Sequence, residues 1–128
     1  MDKTLNLKLE NFKKALDRLN ESLEKKEDDI VRDSVIKRFE FTYELCWKAG
    51  KRFLNEKHGI DVFSPKDVFR ELRVVENLSD IDTENLLLMV ADRNAIVHTY
   101  REQYSKELYR KIRDLYYGLL EKIYRKLS

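Results

Sequence analysis

Residues 30–57 run IVRDSVIKRFEFTYELCWKAGKRFLNEK, without a proline and with Gly50 as the single glycine. Val31, Val35, Phe39, Thr42, Cys46, Ala49 and Phe53 recur at steps of four and three, the spacing that lines up side chains along one stripe of an α-helix. A second stripe, Ile36, Tyr43, Trp47, Gly50 and Leu54, lies beside the first. An apolar arc this wide serves one helix poorly and several neighbours well, so the segment reads as the central helix of a bundle. Tyr43 and Trp47 fit that reading as core or interface bulk whose polar tips need hydrogen-bond partners.

Upstream, Leu5, Leu9, Phe12, Leu16, Leu19 and Leu23 keep the same period over a helix expected from about Asn6 to Lys25. The charged run Lys25-Lys26-Glu27-Asp28-Asp29 interrupts it. Its acids suit the first turn of the next helix, and so short a connection makes the two helices antiparallel neighbours. Downstream, His58-Gly59 closes the long helix with a cation in the last turn and a glycine fitted to a left-handed cap. His58 is therefore assigned to capping. Ser64-Pro65-Lys66-Asp67 starts a short helix, with serine as N-cap and proline in the first helical position. Val68, Phe69, Leu72 and Val75 would seal one end of the bundle.

Residues 77–82 form a polar connection, and Asp82 or Thr83 is placed to cap a fourth long element beginning with Leu86 to Val90. From Glu102 a last helix offers Leu108, Ile112, Leu115, Leu119, Ile123 and Leu127 to the core, flanked by Tyr104, Tyr109, Tyr116, Tyr117 and Tyr124. The expected fold is all-α, an up-and-down four-helix bundle with one additional short helix, in a single domain over residues 1–128. Three glycines and one proline in 128 residues leave little material for the tight turns of a β-sandwich.

The formal net charge of +2 conceals an asymmetry. Residues 61–100 carry four basic and eight acidic side chains, whereas 101–128 carry eight basic and four acidic. The last helix is thus basic, compatible with RNA, an acidic partner or a solvated face of mixed charge. Cys46 has no second cysteine to pair with, and on an apolar stripe it reads as a buried thiol in a reducing compartment. Charges recur from Asp2 to Glu10, which does not suit a signal peptide, and no apolar window spans a bilayer. The expected location is the cytoplasm, with no membrane partner. No glycine-rich phosphate loop, cysteine pair or His-Glu-x-x-His occurs, so neither a cofactor nor a metal is expected.

Chemistry concentrates at Asp92-Arg93-Asn94-Ala95-Ile96-Val97-His98-Thr99-Tyr100-Arg101. Leu86, Val90, Arg93, Val97 and Tyr100 share a stripe, which puts Arg93 where a leucine is expected; Asn94 and His98 follow on the adjacent stripe. An imidazole titrating near neutrality can remove the proton of a ribose 2′-hydroxyl, and a guanidinium can stabilise charge developing on phosphate. Residues five apart in a helix differ by about 140° around its axis. Arg93 and His98 therefore converge if the helix ends between them, if long side chains bend together, or, most simply, if two chains pool their motifs in a homodimer. The competing structural reading pairs Arg93 with Asp92 or with an acid of another helix and treats His98 as a satisfied interhelical histidine.

Three blocks, Asp92-Arg93-Asn94-x3-His98-Thr99-Tyr100, Arg38-Phe39-Glu40-Phe41-Thr42-Tyr43-Glu44-Leu45-x-Trp47-Lys48 and Ser64-Pro65-x2-Val68-x-Arg70-Glu71, resemble the nucleotidyltransferase substrate-binding proteins of the HEPN superfamily, close to the HepT toxins. The resemblance spans nearly the whole chain. It implies a homodimeric helical bundle acting beside a separately encoded minimal nucleotidyltransferase of the MNT type. In HepT members Arg-x4-His-x-Tyr is a metal-independent endoribonuclease site, and the partner transfers AMP to the motif tyrosine. Carried over, Arg93 and His98 are catalytic, Asn94 and Asp92 support them, and Tyr100 is the AMP-modification target. Other members are non-catalytic substrate-binding subunits, for which the same cleft would hold RNA or a nucleotide.

Overall fold

A computed structural model of the chain describes residues 3–96 and 101–128. Its helices are α1 (Lys3–Leu23), α2 (Asp29–His58), α3 (Pro65–Val75), α4 (Asp80–Ile96), α5 (Glu102–Lys111) and α6 (Tyr117–Leu127), with a π-helical turn, Ile112–Tyr116, joining the last two into one rod. The architecture is the expected helical bundle, and α2 is its axis. It packs along α1, receives α3 at its C-terminal half and is flanked by α5 and α6. Both of its predicted stripes are used: Val35, Phe39, Tyr43, Cys46, Ala49 and Leu54 are at most 1% exposed. The wide apolar arc is needed because neighbours cover α2 from several sides.

Local signals explain the boundaries. Asp28, in extended conformation, accepts a 2.8 Å hydrogen bond from the Val31 amide and starts α2. Gly59 at φ 65° turns the chain out of α2, its amide bonding the Asn55 carbonyl at 3.1 Å. Ser64 caps α3 by accepting from the Asp67 amide at 3.2 Å, with Pro65 in the first turn. The cap of α4 lies earlier than Asp82 or Thr83. Ser79 accepts from the Asp82 amide at 3.0 Å, and the Thr83 hydroxyl donates back to the Ser79 carbonyl at 2.9 Å. A serine after Leu78 satisfies the first-turn amides before the acids are reached.

Two close approaches fix the packing. A Cβ built on Gly50 would sit 2.8 Å from Val68 Cγ1, so α3 lies against α2 only because position 50 has no side chain. The π turn changes register in the last rod: the Tyr117 amide bonds the Ile112 carbonyl, inserting one residue. Tyr116, four residues after Ile112, enters the core, stacked on Phe39 at 5.7 Å between ring centroids, and Leu115, an expected core residue, packs against the core half-buried.

Candidate functional site at the end of α4

Adjacent residues in the last turn and a half of α4 meet opposite surroundings. Asp92 turns toward the last rod, where its carboxylate accepts a short hydrogen bond from the Tyr116 hydroxyl and lies 3.1 Å from Lys111 Nζ. The Tyr104 hydroxyl donates to the Asp92 backbone carbonyl at 2.8 Å. Burial first, and the Asp92 carboxylate second, push the Tyr116 phenol well above its ordinary value. Tyr104 is raised by burial and by the same acid. Asp92 thus holds α4 to α5 and the π turn, and it is the neighbour rather than the partner of Arg93.

Arg93 points the other way, against α2. Its Nη2 lies 3.8 Å from Glu44 Oε1, too long for a hydrogen bond. Glu44 is divided among several donors: Trp47 Nε1 donates to Oε2 at 3.1 Å, and Lys48 Nζ stands 3.7 Å from the same oxygen. Among the described residues Arg93 Nε and the Tyr43 hydroxyl are both buried without a hydrogen-bond partner. Burial, followed by Glu44, raises the Tyr43 phenol, and the Arg93 charge opposes the shift. Of the two structural alternatives for Arg93, the acid of another helix is the one present.

Magnitudes show how little this pairing does for the fold. A partly exposed ion pair returns about 0–1 kcal/mol, whereas a buried donor left unpaired costs about 1–3 kcal/mol. Among the described residues, Arg93 therefore gains little stability from its pairing, and its Nε is left without a hydrogen-bond partner. Asn94, one residue on, is exposed. His98 and Tyr100 lie outside the described residues. The structure thus brings Arg93 together with Tyr43, Glu44 and Trp47, sets Asp92 apart from them, and leaves Asn94 at the surface.

Glu44, Lys111 and Tyr116 were not among the site residues expected from sequence. The spacing Glu44-x2-Trp47-Lys48 is a signal for the first, since residues three and four apart share a helix face. Tyr116 stands four residues after Ile112 and three before Leu119, a spacing that places it on the buried face. No group of three or more His, Cys, Asp or Glu among the described residues converges in a way that could hold a metal ion. No described helix is long and apolar enough to cross a membrane.

Residues 7–128 match the family model described as nucleotidyltransferase substrate binding protein like. The chain belongs to that family. A protein of Thermus thermophilus known from a crystal structure is 38% identical, with a TM-score of 0.85 over 91% of this chain and 98% of that one. The tri-AMPylated HEPN toxin of Shewanella oneidensis, solved in complex with an MNT antitoxin, shares the fold at a TM-score of 0.78 and 21% identity, covering 99% of this chain and 98% of that one. A chain of a toxin–antitoxin structure with AMP-PNP gives a TM-score of 0.78 at 20% identity, with complete coverage of both chains. Comparison with curated protein sequences gives no significant match. The expected HEPN-like all-α fold and the nucleotidyltransferase-associated family are thereby established.

Proposed function

We propose that this chain is the HEPN subunit of a two-component toxin–antitoxin system, paired with a separately encoded MNT-type minimal nucleotidyltransferase. In this reading residues 1–128 act as one HEPN-like domain, as a homodimer in the cytoplasm. The site is a HepT-like, metal-independent endoribonuclease centre. The observation that carries the proposal is Arg93, held in the last turn of α4 with a buried Nε that no described residue satisfies and with a carboxylate that reaches it only at 3.8 Å. A guanidinium in that condition is suited to meeting a phosphate.

His98 serves as general base on the ribose 2′-hydroxyl. The 2′-oxygen forms a bond to phosphorus, the bond to the 5′-oxygen breaks, and the products are a 2′,3′-cyclic phosphate and a 5′-hydroxyl that takes up a proton. Arg93 stabilises the charge on the phosphoryl oxygens as this happens. Asn94, exposed beside it, supports the substrate, and Asp92 positions the end of α4 through Tyr116 and Lys111. Tyr100 is the acceptor of AMP from the nucleotidyltransferase, by analogy with the modified HEPN toxin whose fold this chain shares.

Total RNA incubated with the protein in EDTA tests the ribonuclease. Cleavage by the wild type, absent in His98→Ala and Arg93→Ala, is the expected result; no cleavage by the wild-type homodimer defeats it. Incubation with the cognate nucleotidyltransferase and ATP should add AMP to the wild type and not to Tyr100→Phe, as read by intact mass. The second reading, a non-catalytic subunit that presents RNA or a nucleotide to the transferase, is favoured by the family description itself. It predicts partner association and ligand binding without RNA cleavage.

A further inference from the structure

Acids of α4 answer two cations of the basic C-terminal rod, Asp92 meeting Lys111 and Asp82 meeting Lys122, and the rod's own Glu102, Asp114 and Glu121 meet three more. Lys106, Lys111, Arg113, Lys122 and Arg125 each face a carboxylate, at 3.5, 3.1, 2.8, 2.7 and 3.6 Å respectively. Positive charge also gathers between α1 and α2, in a groove of about 600 Å³ whose described lining contains no carboxylate. Lys14 and Arg18 come from α1, Lys37 and Arg38 from α2, with Asn11 at the same wall. Arg38 braces the groove by donating to the Arg18 carbonyl at 2.6 Å, with Glu21 3.9 Å away at the edge. Lys14, Arg18 and Lys37 have no ion-pair partner among the described residues, although the neighbouring Lys13 pairs with Asp17 at 2.8 Å. Phe41 lines the same groove and is 64% exposed.

Lys14, Arg18 and Lys37, gathered with no carboxylate in the described lining, repel one another, and a large exposed ring is unfavourable in water; one ligand relieves both. We infer that the α1–α2 groove binds single-stranded RNA, with phosphates at Lys14, Arg18 and Lys37 and a base stacked on Phe41. Single strands offer free base faces to an aromatic ring, which a duplex withholds. Lys37 also lines a smaller cavity of about 200 Å³ with Tyr104 and Ile96, the last described residue of α4, and with the carboxylates of Asp33 and Glu40. The groove deepens the ribonuclease reading and rests on it for the identity of the polymer.

Binding is measured by fluorescence anisotropy of a fluorescein-labelled, unstructured single-stranded RNA on full-length His98→Ala protein, so that cleavage plays no part. The plot of log affinity against log salt should have a slope near −2, from about 0.7 per phosphate met. Lys14→Glu/Arg18→Glu/Lys37→Glu should abolish that slope and weaken binding by at least about a hundredfold at low salt, and Phe41→Ala should weaken it roughly tenfold with the slope retained. Lys3→Glu/Lys26→Glu/Lys66→Glu changes net charge equally away from the groove and should retain most of the affinity; circular dichroism checks that each variant is folded. Equal losses from both triple variants, no loss from Phe41→Ala, equal binding of duplex RNA, or absence of binding by the parent protein would each overturn the assignment. Loss of nucleotidyltransferase association with RNA affinity intact would instead mark the groove as a protein-docking face. Binding that survives while wild-type protein leaves total RNA uncut would remove the ribonuclease proposal and keep the groove.

Discussion

Asp92 and Arg93 are neighbours in sequence and opposites in circumstance. The acid has a tyrosine hydroxyl and an ammonium group on its carboxylate, and a second tyrosine on its backbone carbonyl. The base has one carboxylate, which it shares with Trp47 and Lys48, and a buried Nε with nothing bonded to it among the described residues. A side chain whose polar groups are satisfied holds a fold together. One left under-satisfied at a cost of about 1–3 kcal/mol is a candidate for work that the fold itself does not require.

The contrast can be broken experimentally. Arg93→Ala should lower RNA cleavage by about a hundredfold to a thousandfold, as expected for loss of a preorganised charge, while changing unfolding stability by less than about 1 kcal/mol. A urea melt showing a loss of several kcal/mol would reverse the assignment and make Arg93 structural. Asp92→Ala should do the opposite kind of damage, lowering stability by about 2–3 kcal/mol because Tyr116 and Lys111 lose their acceptor in a partly buried setting.

Tyr116→Phe sharpens the same point more gently. It keeps the ring stacked on Phe39 and removes one hydrogen bond, for a loss of about 1–2 kcal/mol in the same melt. Tyr43→Phe should be neutral or stabilising by up to about 1 kcal/mol, since its hydroxyl is buried without a partner among the described residues. Both phenols are raised in the fold, so the native state keeps their protons after the unfolded chain begins to lose them. Their contribution is present below the unfolded tyrosine value near 10 and is lost as pH rises above it. Melting temperature should therefore fall above about pH 10, and less steeply in the double Tyr43→Phe/Tyr116→Phe protein than in the wild type.

Much of the architecture was legible because it depends on local, repeated signals. The α2 stripes, the Ser64-Pro65 start and the Gly59 stop all express interactions within one helix or one turn, which spacing alone encodes. The α4 cap was misplaced because Asp82 and Thr83 have the right chemistry, and Ser79 differs from them only in where the chain bends. Leu115 packs against the core only partly buried, while its neighbour Tyr116 is fully buried; the π turn, a backbone hydrogen bond from Tyr117 to Ile112, leaves no mark on composition. The polar interruption at Arg93 was visible as a charged residue on an apolar stripe, whereas its partner was not. Asp92 and a distant acid were equally open from sequence, and Glu44 lies 49 positions away.

Periodicity, capping residues and composition were enough for an all-α bundle centred on residues 30–57 and for a polar interruption of an apolar stripe at Arg93, because these follow from interactions a few residues in range. Packing of distant helices was needed to send Asp92 to Tyr116 and Arg93 to Glu44, and to bring Lys111 and Lys122 to the acids of α4 while leaving Lys14, Arg18 and Lys37 without an ion-pair partner among the described residues. Coulombic and hydrogen-bond energies depend on separation in space, and folding assigns those separations between residues that the linear chain keeps far apart.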